Sequence, residues 1–170
     1  GKEIGSGSVN FILKSNYGEY IDKAKELYAR YGEKIVLPVD LAWVENDRRK
    51  EAVLGQVPGD ITSLDIGSRT AEAYRNEILA AKTVFVNGPM GVFEQEPSEL
   101  GTKAVWQALA DTDGFTVLGG GDSITATEKY QLASRMGYIC TGGGALIRFL
   151  TGEELPVVKA LRHGAGLCKD

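Results

Sequence analysis

The sequence has little of what several common protein functions require. Its 170 residues include two cysteines and one histidine, and these residues show no metal-ligand spacing. Lysine and arginine number 19 against 23 acidic residues, which gives a net charge of -4. Because nucleic acids and anionic membrane surfaces both select for an excess of basic residues, the composition argues against both as general partners. A local positively charged binding site is still compatible with this composition.

A signal peptide and a long apolar segment are also absent, so we expect a cytoplasmic protein whose thiols are reduced. Cys140 lies in an apolar run typical of a small buried hydrophobe, and Cys168 is predicted to be an unpaired thiol near the carboxyl end. His163 also lies near that end, which favours an exposed surface residue over a catalytic base. The sequence presents no Ser, His and Asp constellation.

Short apolar runs alternate with helical patterns in the second half of the chain. The runs "TVFVNG", "FTVLGGG" and "GYICTGGG" are rich in branched or aromatic residues, and each ends in asparagine or glycine, as buried parallel strands do. The residues predicted to face inward from the intervening helices are Ala73, Ile78 and Leu79, then Val105, Trp106 and Leu109, then Ile124, Tyr130 and Leu132. The alternation predicts an α/β fold, a doubly wound, mostly parallel, Rossmann-like sheet in one domain over residues 1–170.

The first half of the chain is less regular. Apolar residues from Tyr20 to Tyr31 recur at helical spacing, and Gly32 follows where a left-handed helix cap would fall. The run "KIVLPVDLAWV" predicts a continuous buried strand. The charged stretch "ENDRRKEAV" that follows is interpreted as a solvated loop beyond the sheet.

Three consecutive glycines and an aspartate follow one predicted strand, in "TVLGGGDSITATEK". A glycine-rich turn that enters a helix exposes amides beside the positive end of the helix dipole, which suits phosphate oxygens. Ser123 or Thr125 as a helix cap would explain part of this motif. A carboxylate at Asp122 repels phosphate unless a cation lies between them, and Mg²⁺ fits that position. The alternative is that Asp122 is itself the helix N-cap.

Two further glycine-containing segments follow predicted strands. In "VNGPMGVFEQEP", Val92 and Phe93 offer apolar surface for a base, and Glu94 could accept hydrogen bonds from ribose hydroxyls. The alternative places Phe93 in the core and Glu94 in solvent. "CTGGGALIRFL" presents a second set of amides at the same edge of the sheet, because ligands gather beyond the carboxyl ends of such strands.

The usual nucleotide-binding motifs do not match. No Gly-Lys-Ser or Gly-Lys-Thr follows "GGGD", which excludes a P-loop with its lysine, and Lys129 comes too late to replace it. "GSGSVN" has the first two glycines of a dinucleotide fingerprint but lacks the third glycine and a preceding strand.

Taken together, "LDIG", "VNGPMGVFE", "GGGDSITA", "TGGGA" and "GEELPVVKAL" resemble the carboxyl-terminal, nucleotide-binding domain of phosphoglycerate kinase, over roughly residues 17–162. The resemblance implies reversible phosphoryl transfer between 1,3-bisphosphoglycerate and ADP, with Mg²⁺. It implies that Glu94 holds the ribose, that Asp122 binds magnesium, and that the amides of Gly121 and Gly144 face the transferred group. The other implied nucleotide contacts are Asn87, Pro89, Gly91, Val92, Phe93, Gly119, Gly120 and Ser123.

The resemblance also implies what this chain would lack. The family's amino-terminal domain, which binds phosphoglycerate, has no counterpart, and the first strand and helix of the nucleotide domain would precede Gly1. We therefore expect an incomplete nucleotide-binding domain that binds ADP or ATP with Mg²⁺ but does not turn over alone. Ser63 replaces a glycine that the family usually has beside the adenine, and Leu146 replaces a frequent serine.

A different class of function stays open at this point. The chain could be a non-catalytic module that binds a nucleotide or another anion, or a fragment that serves as an interaction surface. A sheet truncated at its amino end would leave an unpaired strand edge, which invites dimers or a strand swap with a second copy.

Overall fold

The structure, a computed structural model, describes residues 3–167, so Cys168 lies outside the described residues. The helices are α1 (Ser6–Lys14), α2 (Tyr20–Tyr31), α3 (Ser68–Ala80), α4 (Leu100–Asp111), α5 (Gly121–Lys129), α6 (Gly144–Leu150) and α7 (Pro156–Leu167). The strands are β1 (Asp40–Glu45), β2 (Arg48–Val53), β3 (Asp65–Ile66), β4 (Thr83–Asn87), β5 (Phe115–Gly119) and β6 (Tyr138–Cys140). Within residues 3–167, no helix is long and apolar enough to cross a membrane.

The second half of the chain forms the predicted parallel sheet. Its strand order is β4-β5-β6, and all neighbouring strands run parallel. Helix α4 connects β4 to β5, and α5 connects β5 to β6, which is the crossover that parallel neighbours require. The predicted α/β class and the three predicted parallel strands are therefore confirmed.

A buried cluster between this sheet and the helices forms the core. Trp106, Leu109 and Val105 of α4 are at most 3% exposed, as predicted, and they pack with residues of β4, β5 and α5. The indole nitrogen of Trp106 donates a hydrogen bond to Thr127 Oγ1 at 2.8 Å, so this buried polar atom is satisfied. Helix α4 is thus the central support of the parallel sheet.

One inward-facing prediction and one cap prediction for the helices are wrong. Ala73 is exposed, so its predicted inward position is wrong. The buried residues of α3 are Thr70 and Ala71. Gly32 has φ -51°, so it continues the right-handed backbone and is not a left-handed cap. Helix α2 itself is confirmed, but it has no buried residue, because nothing in the described part of the chain covers its apolar side.

The charged stretch predicted to be a loop is a strand. Residues Arg48–Val53 form β2, which pairs antiparallel with β1, and β3 pairs with the other edge of β1. Asn46 and Asp47 both have left-handed backbone conformations, with φ of 51° and 59°, which suits a two-residue hairpin turn. The chain therefore contains a second, antiparallel sheet, and the mostly parallel arrangement is confined to β4–β6.

The predicted strand "KIVLPVDLAWV" is shorter than expected. It begins only at Asp40, and the preceding Val36, Leu37 and Val39 are 51–55% exposed and lie in no strand. Tyr74 Oη donates to the carbonyl oxygen of Val36 at 3.1 Å, which holds this extended segment beside α3. The apolar character of the segment therefore does not reflect burial within residues 3–167.

Candidate functional site

Three strand ends meet at one edge of the parallel sheet. Asn87 of β4 lies opposite Gly119 of β5, and Gly119 lies opposite Cys140 of β6. Each strand leads directly into a glycine-containing turn, so the three turns lie side by side. The predicted gathering of the glycine clusters at one edge is confirmed by this register.

The turn after β5 opens onto helix α5. Gly120 is the N-cap residue with φ 90° and ψ 145°, and no side chain caps the helix. Ser123 Oγ instead accepts a hydrogen bond from the Gly88 amide at 2.8 Å, and Thr125 Oγ1 donates to the Gly121 carbonyl at 3.1 Å. The cap predicted at Ser123 or Thr125 is therefore wrong, and the amides of the first turn keep their capacity to bind an anion.

Asp122 lies in the first turn of α5, and its side chain is exposed. It is not the N-cap, because Gly120 occupies that position, so the capping alternative for Asp122 is wrong. Among residues 3–167, no three or more His, Cys, Asp or Glu side chains gather as a metal-binding group. One exposed carboxylate beside the first-turn amides of α5 is chemically suited to Mg²⁺, which commonly takes one or two carboxylates and completes its shell with phosphate oxygens and water.

The three glycines after β5 differ in their surroundings. A methyl group on Gly119 would lie 2.6 Å from Leu146 Cδ2, so this buried glycine permits α6 to pack against β5. A methyl group on Gly121 would meet nothing within 4 Å, and the same holds for Gly144. Gly121 and Gly144 therefore border open space, whereas Gly119 is enclosed by protein.

The segment after β4 runs from Gly88 to Glu99, and we call it the nucleotide loop after the role that the sequence resemblance predicts for it. Phe93 is 2% exposed within the core cluster, and Glu94 is exposed, as the alternative interpretation predicted. The Phe93 ring therefore offers no free face to a base. Val92 is 36% exposed and keeps an apolar surface, while Asn87 is exposed and Pro89 is half-buried.

Close packing fixes the middle of the nucleotide loop. The amide of Val92 donates to the Leu64 carbonyl at 2.8 Å, and a methyl group on Gly91 would lie 2.5 Å from Asp65 Oδ1. Thr102 Oγ1 accepts hydrogen bonds from the amides of Met90 and Gly91 at 3.2 and 3.3 Å. Glycine is required at position 91 because a side chain there has no room.

A buried ion pair under the loop was not anticipated from the sequence. Arg49 Nη1 donates to Asp65 Oδ2 at 2.9 Å and to the Pro97 carbonyl at 3.0 Å. The Asp65 side chain is fully buried, and its carboxylate also accepts from the amides of Gly101 and Ile66. Burial raises the pKa of Asp65, while these donors oppose that rise. The charged run containing Arg49 thus supplies an anchor for the loop.

The segment "GSGSVN" has a structural role that its sequence did not reveal. Gly5 has φ 87°, and the amides of Ser6 and Gly7 donate to the carbonyls of Gly59 and Ile61 at 2.8 and 3.1 Å. The first amides of α1 are therefore already bound by protein oxygens, which disfavours a phosphate there. A dinucleotide-type site at this segment is not supported.

Ser63 also contacts the start of α1. Its hydroxyl donates to the Ile4 carbonyl at 2.9 Å, and its amide donates to Ser8 Oγ at 2.8 Å. Both donors of Ser63 thus hold the start of α1 against the segment that precedes β3. The next residue, Leu64, accepts the hydrogen bond from Val92 of the nucleotide loop. The Ser63 side chain can offer a base only an acceptor lone pair.

Comparisons with known proteins agree with this arrangement. The family described as "PGK: Phosphoglycerate kinase" matches residues 1–153. Phosphoglycerate kinase of Methanothermus fervidus is 39% identical over 163 residues, which cover 96% of this chain and 40% of that protein. That of Desulfovibrio desulfuricans is 43% identical over 178 residues, with 95% and 46% coverage.

A solved structure shows the same fold. The crystal structure of phosphoglycerate kinase from Pyrococcus horikoshii OT3 superposes with a TM-score of 0.83 at 39% identity, over 94% of this chain and 40% of that chain. The chain thus spans about 40% of the length of several relatives that it matches. The match of the family over residues 1–153 and the common fold establish that this chain belongs to the phosphoglycerate kinase family.

Proposed function

We propose that this chain is the nucleotide-binding part of a phosphoglycerate kinase, which catalyses ATP + 3-phosphoglycerate ⇌ ADP + 1,3-bisphosphoglycerate in glycolysis and gluconeogenesis. The observation that carries the proposal is the alignment of three strand ends, at which Gly121 and Gly144 border open space beside the exposed Asp122. Membership in the family supplies the reaction. A cytoplasmic location stays a prediction from the sequence.

The nucleotide would lie along this edge of the sheet. The first-turn amides of α5 would hold phosphate oxygens, and the Glu94 carboxylate would accept hydrogen bonds from ribose hydroxyls beside the apolar surface of Val92. Asn87, Pro89 and Gly91 would shape the loop, and Gly119, Gly120 and Ser123 would keep the phosphate turn in position. Ser123 can do so because its hydroxyl binds Gly88 and thereby joins the two turns.

The protein's own contribution to phosphoryl transfer would be electrostatic. The amides of Gly121 and Gly144 are fixed donors that would stabilise negative charge developing on the transferred group. Asp122 would hold Mg²⁺, which neutralises phosphate charge when it is bound with the nucleotide. Phosphoglycerate would be bound outside this chain, so we expect the chain alone to bind ADP or ATP without catalysing transfer.

An interaction through the open edge of the parallel sheet stays a prediction. Within the described residues, β4 pairs only with β5, and Phe85 of β4 is 41% exposed. Such an edge can accept a further strand. A dimer or a strand swap would appear as a doubled mass in light scattering of the purified chain.

Calorimetric titration with ADP in the presence of Mg²⁺ tests the proposed function. We expect a saturable heat in the parent chain and a large loss of affinity in Asp122→Ala. Asp113→Ala is a matched control, because this exposed acid precedes β5 and thus lies at the opposite end of the strand. No saturable heat in the parent, or equal losses in both variants, would reject the nucleotide proposal.

A further inference from the structure

Helix α5 contacts the nucleotide loop near both of its ends, through Ser123, which accepts from the Gly88 amide, and through Lys129 at its carboxyl end. Lys129 Nζ donates a hydrogen bond to the carbonyl oxygen of Phe93, the residue directly before Glu94. The same ammonium lies 5.8 Å from the centroid of the Phe93 ring, in a cation–π arrangement. Lys129 therefore contacts both the backbone and the side chain of Phe93.

A second anchor holds the ammonium group in this position. Glu99 Oε2 lies 2.8 Å from Lys129 Nζ, and its side chain is only 18% exposed. The hydrogen bond from Lys129, with a smaller direct charge effect, lowers the pKa of Glu99 against the opposing effect of burial. Lys129 thus bridges Glu99, at the end of the nucleotide loop, and Phe93, in its middle.

The position of Lys129 gives this bridge a consequence for the site. Helix α5 begins at Gly121 with the proposed phosphate-binding amides and ends at Lys129. At a rise of about 1.5 Å per residue, the two ends of the helix are about 12 Å apart. One rigid helix therefore carries the amides at one end and, at the other, contacts the loop segment that carries Glu94.

We propose that Lys129 is a positioning residue that fixes the Phe93 carbonyl, and hence the backbone leading into Glu94, relative to the phosphate-binding end of α5. This inference rests on the proposed function for its effect on nucleotide affinity. The Phe93 ring is buried in the core. The hydrogen bond from Lys129 to the Phe93 carbonyl therefore restricts rotation of the peptide group that joins Phe93 to Glu94. The distance between the Glu94 backbone, whose side chain would bind the ribose, and the phosphate-binding amides of α5 then stays constant.

A purely stabilising role accounts less well for the geometry. The Lys129 side chain is 37% exposed, and partly exposed ion pairs contribute little to the free energy of folding. Lys103 provides the comparison, since its Nζ also lies near Glu99, at 3.6 Å, and its side chain is 65% exposed. Both lysines contact Glu99. In the described part of the chain, Lys129 also makes a polar contact with Phe93 of the nucleotide loop, whereas Lys103 makes none with that loop other than to Glu99.

The test compares Lys129→Met with Lys103→Met, using two ligands and the unliganded protein. Magnesium ADP probes the nucleoside and phosphate contacts together, whereas magnesium pyrophosphate probes the phosphate contacts alone. If one hydrogen bond from a charged donor is lost, we expect the Kd for magnesium ADP to rise about tenfold in Lys129→Met. The Kd for magnesium pyrophosphate should stay within about twofold of the parent value, as should both constants in Lys103→Met.

Hydrogen exchange of the unliganded chain tests the same inference without any nucleotide. Amides of the nucleotide loop near Phe93 should exchange faster in Lys129→Met than in the parent, with α4 unchanged, and Lys129→Arg should restore part of the protection. Unchanged exchange in the loop would overturn the positioning role, whether or not ADP binds. An equal rise in the Kd values for magnesium ADP and magnesium pyrophosphate in Lys129→Met would also overturn the positioning role. A parent chain that binds neither ligand would reject the proposed function and leave the positioning role to the exchange measurement.

Discussion

Two neighbouring glycines at the end of β5 should differ in how much stability the same added methyl group costs. Gly120 has φ 90°, and a methyl group there would lie 2.9 Å from Asn87 Oδ1. Holding alanine in such a conformation costs about 1–3 kcal/mol, so Gly120→Ala should lower the free energy of unfolding by that amount. At Gly121 the methyl group meets nothing within 4 Å, and Gly121→Ala should fold with a stability within about 0.5 kcal/mol of the parent.

Ligand affinity should separate the two variants further. The methyl group of Gly121→Ala would occupy the open space beside the first-turn amides, where a phosphate oxygen would lie. Loss of one hydrogen bond to a charged group, about 1.5–3 kcal/mol, corresponds to at least about tenfold weaker binding of magnesium ADP. Urea denaturation measures the stabilities, and calorimetry measures the affinities. If Gly121→Ala binds ADP as the parent does, or if Gly120→Ala is as stable as the parent, the reasoning about this turn is refuted.

Three further perturbations probe the supports of the site. Arg49→Met should cost about 3–5 kcal/mol of unfolding free energy in urea denaturation, because it leaves the buried Asp65 carboxylate without its charged partner. Thr102→Val should cost about 1–3 kcal/mol by the same assay, because two amides of the nucleotide loop lose their acceptor. The lowered pKa of Glu99 means that its contribution to stability is present above its ordinary pKa of 4.5 and is lost as the pH falls through the folded value. Lys129→Met should therefore raise the Glu99 pKa in a carboxyl NMR titration, and an unchanged pKa would contradict this assignment.

The parallel half of the fold was predictable because its signals are local. Strands β4, β5 and β6 are short apolar runs that end in, or are closely followed by, asparagine or glycine, and the inward positions of α4, such as Trp106, follow from helical spacing. The position of the glycine clusters at one edge followed from parallel topology alone. These features depend on residues within one element or on a general rule for sheets.

The remaining features depend on contacts between residues distant in sequence. Strand β2 is rich in charge because it lies at an edge of its sheet, where Arg48, Lys50 and Glu51 are exposed, while Arg49 reaches inward to Asp65. No local pattern identifies that partner, which is 16 residues away. The tolerance of Asn46 and Asp47 for left-handed conformations was the one available signal for the hairpin.

The structure shows how the predicted site residues are placed, and it corrects the placement of one of them. The exposed positions of Asp122 and Glu94 agree with their proposed roles, whereas the burial of the Phe93 ring limits it to a structural contribution. Apolar character alone could not decide whether Phe93 faces a ligand or the core, because both surroundings favour an aromatic ring. The three-dimensional packing against α4 and α5 decides it.

Amide chemical shifts recorded during a titration with magnesium ADP test the central claim most directly. The account predicts the largest changes at Gly120–Ser123 and at Gly144, with smaller changes from Val92 to Glu94. It predicts little change at the opposite end of the parallel sheet, near Asp113. Shifts that leave the glycine turns unaffected while the nucleotide saturates elsewhere would contradict the claim that these strand ends bind the phosphates.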